Sequence, residues 1–193
     1  MRIEVTEASP EILKQYESVP ILFRVDSVLT AVPVDSGLGG IRLAEEPVEP
    51  YFKDYDQFES ERPAAWPAQF DISKWTLFSA FEGEGRAGGA AVVMRSGEID
   101  MLEGRDDLVC LWDLRVAPEY RGKGVAHRLF TRVAEWAREQ GCRQLKVETQ
   151  NTNVPACRFY ARQGCELRGI DSYAYAERLN EIQLLWYLDL DLP

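Results

Sequence analysis

Six consecutive residues, Arg121-Gly122-Lys123-Gly124-Val125-Ala126, put two glycines and two cations into an otherwise acidic chain. A strand-like run, LVCLWDLRV (Leu108 to Val116), precedes them and an amphipathic helix pattern follows. Strand, glycine turn and helix make an anion cradle. The glycines take conformations closed to other residues and let the backbone come close to a ligand. The N–H groups that open the helix point at the ligand, and the helix dipole favours negative charge there. Pyrophosphate is the chemistry this suits. The stretch lacks the four-residue gap and Gly-Lys-Ser/Thr ending of a P-loop. It also lacks the spacing of a dinucleotide fold, since Gly122 and Gly124 are followed by Ala126 and His127. The competing reading is a tight turn before an ordinary helix, with Arg121 and Lys123 merely solvated.

A second stretch, VETQNTNVPACRFYARQGC (Val147 to Cys165), runs from a strand through a turn at Asn151 to Asn153 into a short helix. Asn153 is a natural N-cap with Pro155 in the first turn. Tyr160 then sits one and a half turns into that helix. Alternation turns Val147 and Thr149 to one side of the strand and Glu148 and Gln150 to the other. A carboxylate on such an apolar strand demands a reason, and Asp113 demands one on the neighbouring strand. Each is either a hydrogen-bonded structural group or a group that does chemistry, and both could bind a cationic amine. Trp112, Tyr173 and Tyr175 could wall such a site with cation–π contacts, or belong to the core. His127 stands alone with no evident partner, which disfavours histidine-based catalysis. Cys110, Cys142, Cys157 and Cys165 form no C-x-x-C pair and no zinc-like cluster, so no metal is expected.

The elements that must position these groups follow from patterning. With 193 residues, 46% hydrophobic and 28% charged, the chain suits one domain with a sizeable core. Its net charge of −10 argues against nucleic acid or an anionic membrane as main partner and suits a cationic small molecule, although acidity serves solubility as well. No apolar run approaches a membrane span, the start has no apolar signal core, and the apolar surroundings of the cysteines suggest buried thiols. A cytoplasmic protein is the expectation. Strands are expected at Arg2 to Glu7, Ile21 to Val32, Trp75 to Phe81, Ala87 to Arg95, Leu108 to Val116, Arg143 to Thr149, Glu166 to Tyr175 and Glu181 to Leu190. Helices are expected from Pro10 to about Ser18, from Val125 to Gln140 and from Pro155 to Gln163. Val34 to Gln69 reads as a long, mostly irregular excursion, either a lid or pocket wall or an insertion packing its own aromatics. The sum is mixed α/β, with antiparallel strands first and a βαβ unit later. Two helices diverging from adjacent strand ends leave a crevice for a ligand.

RGKGVA and the N-x-x-A-x-x-F-Y-x-x-x-G pattern from Asn153 to Gly164, in that order, resemble the GNAT superfamily of N-acetyltransferases over about Trp75 to Leu190. Within it, LKVETQNTNVPACRFYARQGC and NEIQLLWYLDL are similar to the streptothricin acetyltransferases, which acetylate the β-lysine amine of an antibiotic. The resemblance implies a central mixed, mostly antiparallel sheet with a splayed parallel strand pair and flanking helices. It also implies one acetyltransferase domain over 1–193, with a divergent part at 1–74 and an acetyl-CoA-binding core at 75–190. Acetyl-CoA would be the cosubstrate. Its pantetheine would pair with the backbone of Leu114 and Val116, and its pyrophosphate would sit on the amides of Arg121, Gly122, Lys123, Gly124, Val125 and Ala126. Asn153 and Ala156 would face the pantetheine arm. An amine would attack the thioester directly, with the N–H of Leu114 or Arg115 steadying the oxyanion. Tyr160 matches the family's tyrosine and would protonate the departing thiolate, or only pack on the cofactor. Glu148 is the first choice of base and Asp113 the second. The expected acceptor is a small cationic amine; a protein or peptide amine, or a non-catalytic acyl-CoA-binding module, are the alternatives. Such relatives are often homodimers.

Overall fold

Ser9 opens the first helix as its pattern demands: its hydroxyl accepts a hydrogen bond from Ile12 N at 3.3 Å, and Pro10 occupies the first turn. The computed structural model describes residues 1–175 and 181–190. Asn180, the first residue of NEIQLLWYLDL, lies outside them. The described residues divide into two units that interleave along the chain. One takes residues 1–22, 54–147 and 188–190, the other 23–53, 148–175 and 181–187.

The first unit contains β1 (Arg2–Glu7), α1 (Pro10–Tyr16), β4 (Trp75–Glu82), β5 (Gly85–Met94), β6 (Leu108–Val116), α2 (Val125–Glu139) and the start of β7 (Gln144–Gln150). Its strands lie in the order β1-β4-β5-β6-β7, antiparallel as far as β6, with β6 and β7 parallel. α2 buries Val125, Leu129, Val133, Trp136 and Ala137, the apolar stripe of its helical period, against β5 and β6. Gly141, at φ +78°, ends the helix, with Cys142 N donating to Ala137 O at 2.9 Å. Residues 54–74 carry only short turns, and they bring Trp66 and Phe70 onto Trp75, at ring separations of 5.4 and 5.8 Å. Trp66 of the excursion thus packs on Trp75 of β4, outside the excursion itself.

The second unit holds β2 (Phe23–Pro33) and β3 (Ile41–Lys53), the end of β7, α3 (Val154–Arg162), β8 (Glu166–Asp171) and β9 (Gln183–Asp189). β2 and β3 form a separate two-stranded antiparallel sheet running from Phe23↔Lys53 to Pro33↔Ile41. Residues 41–53 are therefore a strand, not the irregular loop their prolines and acids suggest. A two-stranded sheet has only edges, where proline is tolerated, and the register shift places Pro50 in a bulge opposite Asp26. β8 stops at Asp171, short of the expected Tyr175.

Asn151 ties this unit together. Its backbone O accepts from Leu29 N, and its Nδ2 donates to Leu29 O, both at 3.0 Å. Its N donates to Ile182 O at 3.0 Å, and its Oδ1 accepts from Ile182 N at 2.9 Å. Asn151→Ala removes two of these bonds and leaves Leu29 O and Ile182 N without their side-chain partner. A loss of roughly 1–3 kcal/mol is expected, read as a lower urea midpoint at unchanged slope.

Candidate active site

In the first unit the parallel ladder of β6 with β7 runs from Leu108↔Gln144 to Leu111↔Val147 and stops there. β6 continues to Val116 against β5 alone, past a bulge that leaves Trp112 without an opposite residue. Ala117 N donates to Ala87 O at 3.0 Å. Antiparallel alternation then turns the peptide groups of Arg115, opposite Gly89, toward β5. Those of Leu114 and Val116 turn to the opposite edge, where the ladder with β7 has ended. Gly88 permits this packing, because a Cβ there would lie 2.6 Å from Arg115 O.

The loop after β6 gives each cation a local task. Arg121 Nε donates to Val116 O at 3.1 Å and its Nη2 to Pro20 O at 3.3 Å, which anchors the loop to the strand end. The Lys123 amine lies 5.6 Å from the Tyr120 ring centroid. Gly122 and Gly124 adopt φ of +73° and +80°, with open space where side chains would be. Gly124 is the N-cap of α2, makes no side-chain cap bond, and no acidic residue follows in the first turn. An exposed, cationic helix start with no built-in anion fits a pyrophosphate. Val125 turns inward and is buried, while His127 is exposed.

In the second unit, Asn153 caps α3 by accepting from Ala156 N at 3.1 Å, so these two candidates are in direct contact. Tyr160, about two turns on from the cap, is buried, with its ring 5.1 Å from that of Phe159. Glu148, on β7, is held from two sides: Oε1 accepts from the Tyr175 hydroxyl and Oε2 from Gln183 Nε2 at 2.7 Å. Its neighbour Thr149 faces the other way and accepts from Trp186 Nε1 at 2.8 Å. Tyr173 is 85% exposed.

Asp113 and Arg115 form a buried ion pair in the first unit. Arg115 is 2% exposed, and all five of its N–H groups are used. Nε and Nη2 donate to Asp113 at 2.9 and 2.7 Å, Nη1 and Nη2 to Asp56 at 2.7 and 3.3 Å, and Nη1 to Val19 O at 3.1 Å. The Tyr16 hydroxyl also donates to Asp113, and Arg115 lies 4.9 Å from the Tyr16 ring centroid. Burial and the Asp113 charge hold the Tyr16 phenol well above its usual value. Burial raises the Asp56 carboxyl, which Arg115 pulls back down. The four cysteines are buried thiols, and burial pushes Cys165 up to about 12. Among the described residues no cluster of three or more His, Cys, Asp or Glu could hold a metal.

Residues 41–165 match the family model described as "Acetyltransferase (GNAT) family". The chain belongs to the GNAT acetyltransferase family. It is 32% identical to streptothricin acetyltransferase of Escherichia coli over 153 residues, covering 77% of this chain and 76% of that one. The crystal structure of nourseothricin acetyltransferase is similar with a TM-score of 0.74 at 26% identity, covering 99% of this chain and 100% of that one. A Bacillus anthracis str. Ames crystal structure in complex with acetyl coenzyme A has the same fold at 24% identity, with a TM-score of 0.73 and 99% of both chains covered.

Two features of this acetyltransferase escape sequence reasoning. Tyr16 and Asp56 join Asp113 and Arg115 from 97 and 59 residues away, and no local period connects them. Only the Asp113-x-Arg115 spacing, which places both side chains on one face of a strand, signals half of the cluster. Tyr175 and Gln183 meet Glu148 from 27 and 35 residues away.

Proposed function

We propose that this acetyltransferase, a single domain over 1–193, moves an acetyl group from acetyl-CoA to a primary amine of a small cationic acceptor of the streptothricin type. The observation that carries the reading is the bare edge of β6 beyond Leu111, which leads directly into the anion cradle at 121–126. Leu114 and Val116 offer their peptide groups to the pantetheine arm, and the amides of Arg121 to Ala126 take the pyrophosphate. Asn153 and Ala156 line the arm from the start of α3. The similarity to streptothricin acetyltransferase over three-quarters of the chain and the net charge of −10 support the acceptor class. A cytoplasmic location suits four buried cysteine thiols. A homodimer is part of the reading, and sedimentation would test it.

The amine nitrogen attacks the thioester carbon, a C–N bond forms, and negative charge moves onto the carbonyl oxygen. The N–H of Leu114 steadies that oxyanion; the Arg115 N–H expected as its alternative is turned toward β5, opposite Gly89, and is not available. Glu148 takes the proton shed by the ammonium form of the acceptor. Two bonds fix its carboxylate while leaving acceptor sites open, since two carboxylate oxygens offer about four. Asp113 stands second as base, because Arg115 and Tyr16 already engage it. The C–S bond then breaks, and the Tyr160 phenol protonates the thiolate.

Thiol release from acetyl-CoA, measured with streptothricin, a simple polyamine and a peptide amine, tests this. Rapid release with streptothricin and not with the peptide is expected; CoA binding without turnover on any acceptor would leave only an acyl-CoA-binding module. Tyr160→Phe should slow turnover by roughly 10- to 1,000-fold with CoA affinity nearly unchanged. Wild-type turnover in that variant would remove the acid role.

A further inference from the structure

A buried arginine with two carboxylates and a phenol is an expensive way to fill a core, since apolar residues of equal volume are often as stable or more so. The cluster around Arg115 is also unusually complete, with every guanidinium N–H paired. Its place on β6 gives the reason. Asp113 and Arg115 flank Leu114, and both project from the same face of the strand. The bulge at Trp112 and the end of the β7 ladder at Leu111↔Val147 deprive this stretch of half its backbone support. The side chains supply other anchors. Through them β6 is tied to the Tyr16 hydroxyl, to the carbonyl of Val19 and to Asp56. Gly89, opposite Arg115, is what admits Tyr16: a Cβ there would lie 2.6 Å from the Tyr16 ring and from Phe78 O.

We propose that Tyr16 and Asp56 are positioning residues for acyl transfer: acting through Asp113 and Arg115, they hold the Leu114 peptide at the angle the acyl donor needs. This deepens the function proposed above and rests on it. It assigns Asp113 to positioning and leaves proton transfer to Glu148. Misplacing a reacting group by about 1 Å can cost on the order of 100-fold in rate, so a loosened β6 edge affects the donor before it affects the fold.

Tyr16→Phe keeps the ring against Gly89 and removes only the hydroxyl; Asp56→Asn keeps shape and removes one charge. CoA affinity by calorimetry, together with kcat and the separate KM values for acetyl-CoA and acceptor, should be measured on the full chain well below its melting temperature. Both variants should bind CoA about tenfold more weakly and turn over about tenfold more slowly, with the acceptor KM unchanged. A lower melting temperature with unchanged CoA affinity and kcat would reduce the cluster to a structural role and overturn the proposal. Should Tyr16→Phe fail to fold, Asp56→Asn decides alone. If wild-type protein binds no CoA, the acetyl-transfer reading falls and the positioning role falls with it. Wild-type binding with unaffected variants removes the positioning role only.

Discussion

Glu148→Gln should lower kcat by roughly 10²- to 10⁴-fold, the range lost with a general base, while CoA binds as before. The substitution keeps the side chain's length and planarity. The Tyr175 hydroxyl can still donate to the remaining carbonyl oxygen. Gln183 Nε2, which donates to Oε2 in the wild type, would face a second amide nitrogen, so one of the two anchoring bonds is lost. That local cost is about 1 kcal/mol, too small to unfold the domain, so the loss of rate reports on proton transfer. Single-turnover thiol release at saturating acetyl-CoA and acceptor reads it directly. Turnover within threefold of wild type would mean that Glu148 takes no proton in the reaction.

Arg115→Ala should cost about 3–5 kcal/mol of stability, the penalty for removing one partner of a buried ion pair. Against a typical total of about 5–15 kcal/mol, this is a large fraction. The loss differs from a cavity effect in its pH dependence. Without the guanidinium, Asp113 and Asp56 face each other in a buried site, and the burial that already raises Asp56 acts with no cation to oppose it. The folded-state affinity of Asp56 for protons then exceeds that of the unfolded chain. The native state binds more protons, so stability of the variant falls as pH rises through the raised value. Urea unfolding at about pH 5 and about pH 7.5 should therefore show Arg115→Ala more stable at the lower value. A deficit that is equal at both would point to lost packing instead.

Much of the fold is legible because it is local. The helical stripe of α2 and the first four residues of Leu108–Val116 are buried as their periods say, and Ile3 and Val5 are half-buried between exposed neighbours in Arg2–Glu7. The cap at Ser9 and the stop at Gly141 are single-residue signals with a backbone cause. The strand Ile41–Lys53 is illegible for an equally physical reason: Pro47, Pro50 and the surrounding acids are ruinous in a central strand but tolerable in a two-stranded sheet with a bulge. No window of residues reveals that this strand has only one neighbour. The candidate site divides in the same way. The cradle at 121–126 and the cap at Asn153 follow from spacing. The partners of Glu148 and Asp113 come from distant segments whose meeting only the folded chain defines.

Because Phe23 and Lys53 face each other, the chain departs at residue 22 and resumes at 54 through two adjacent positions. A hairpin closed at its base in this way is a cassette. Residues added at its turn, around Gly37 and Gly40, leave the pairing at Phe23↔Lys53 untouched, and doubling a flexible loop costs only about 0.6 kcal/mol. The turn is thus free to change length while the base of the hairpin keeps its pairing and Leu29 its bonds to Asn151.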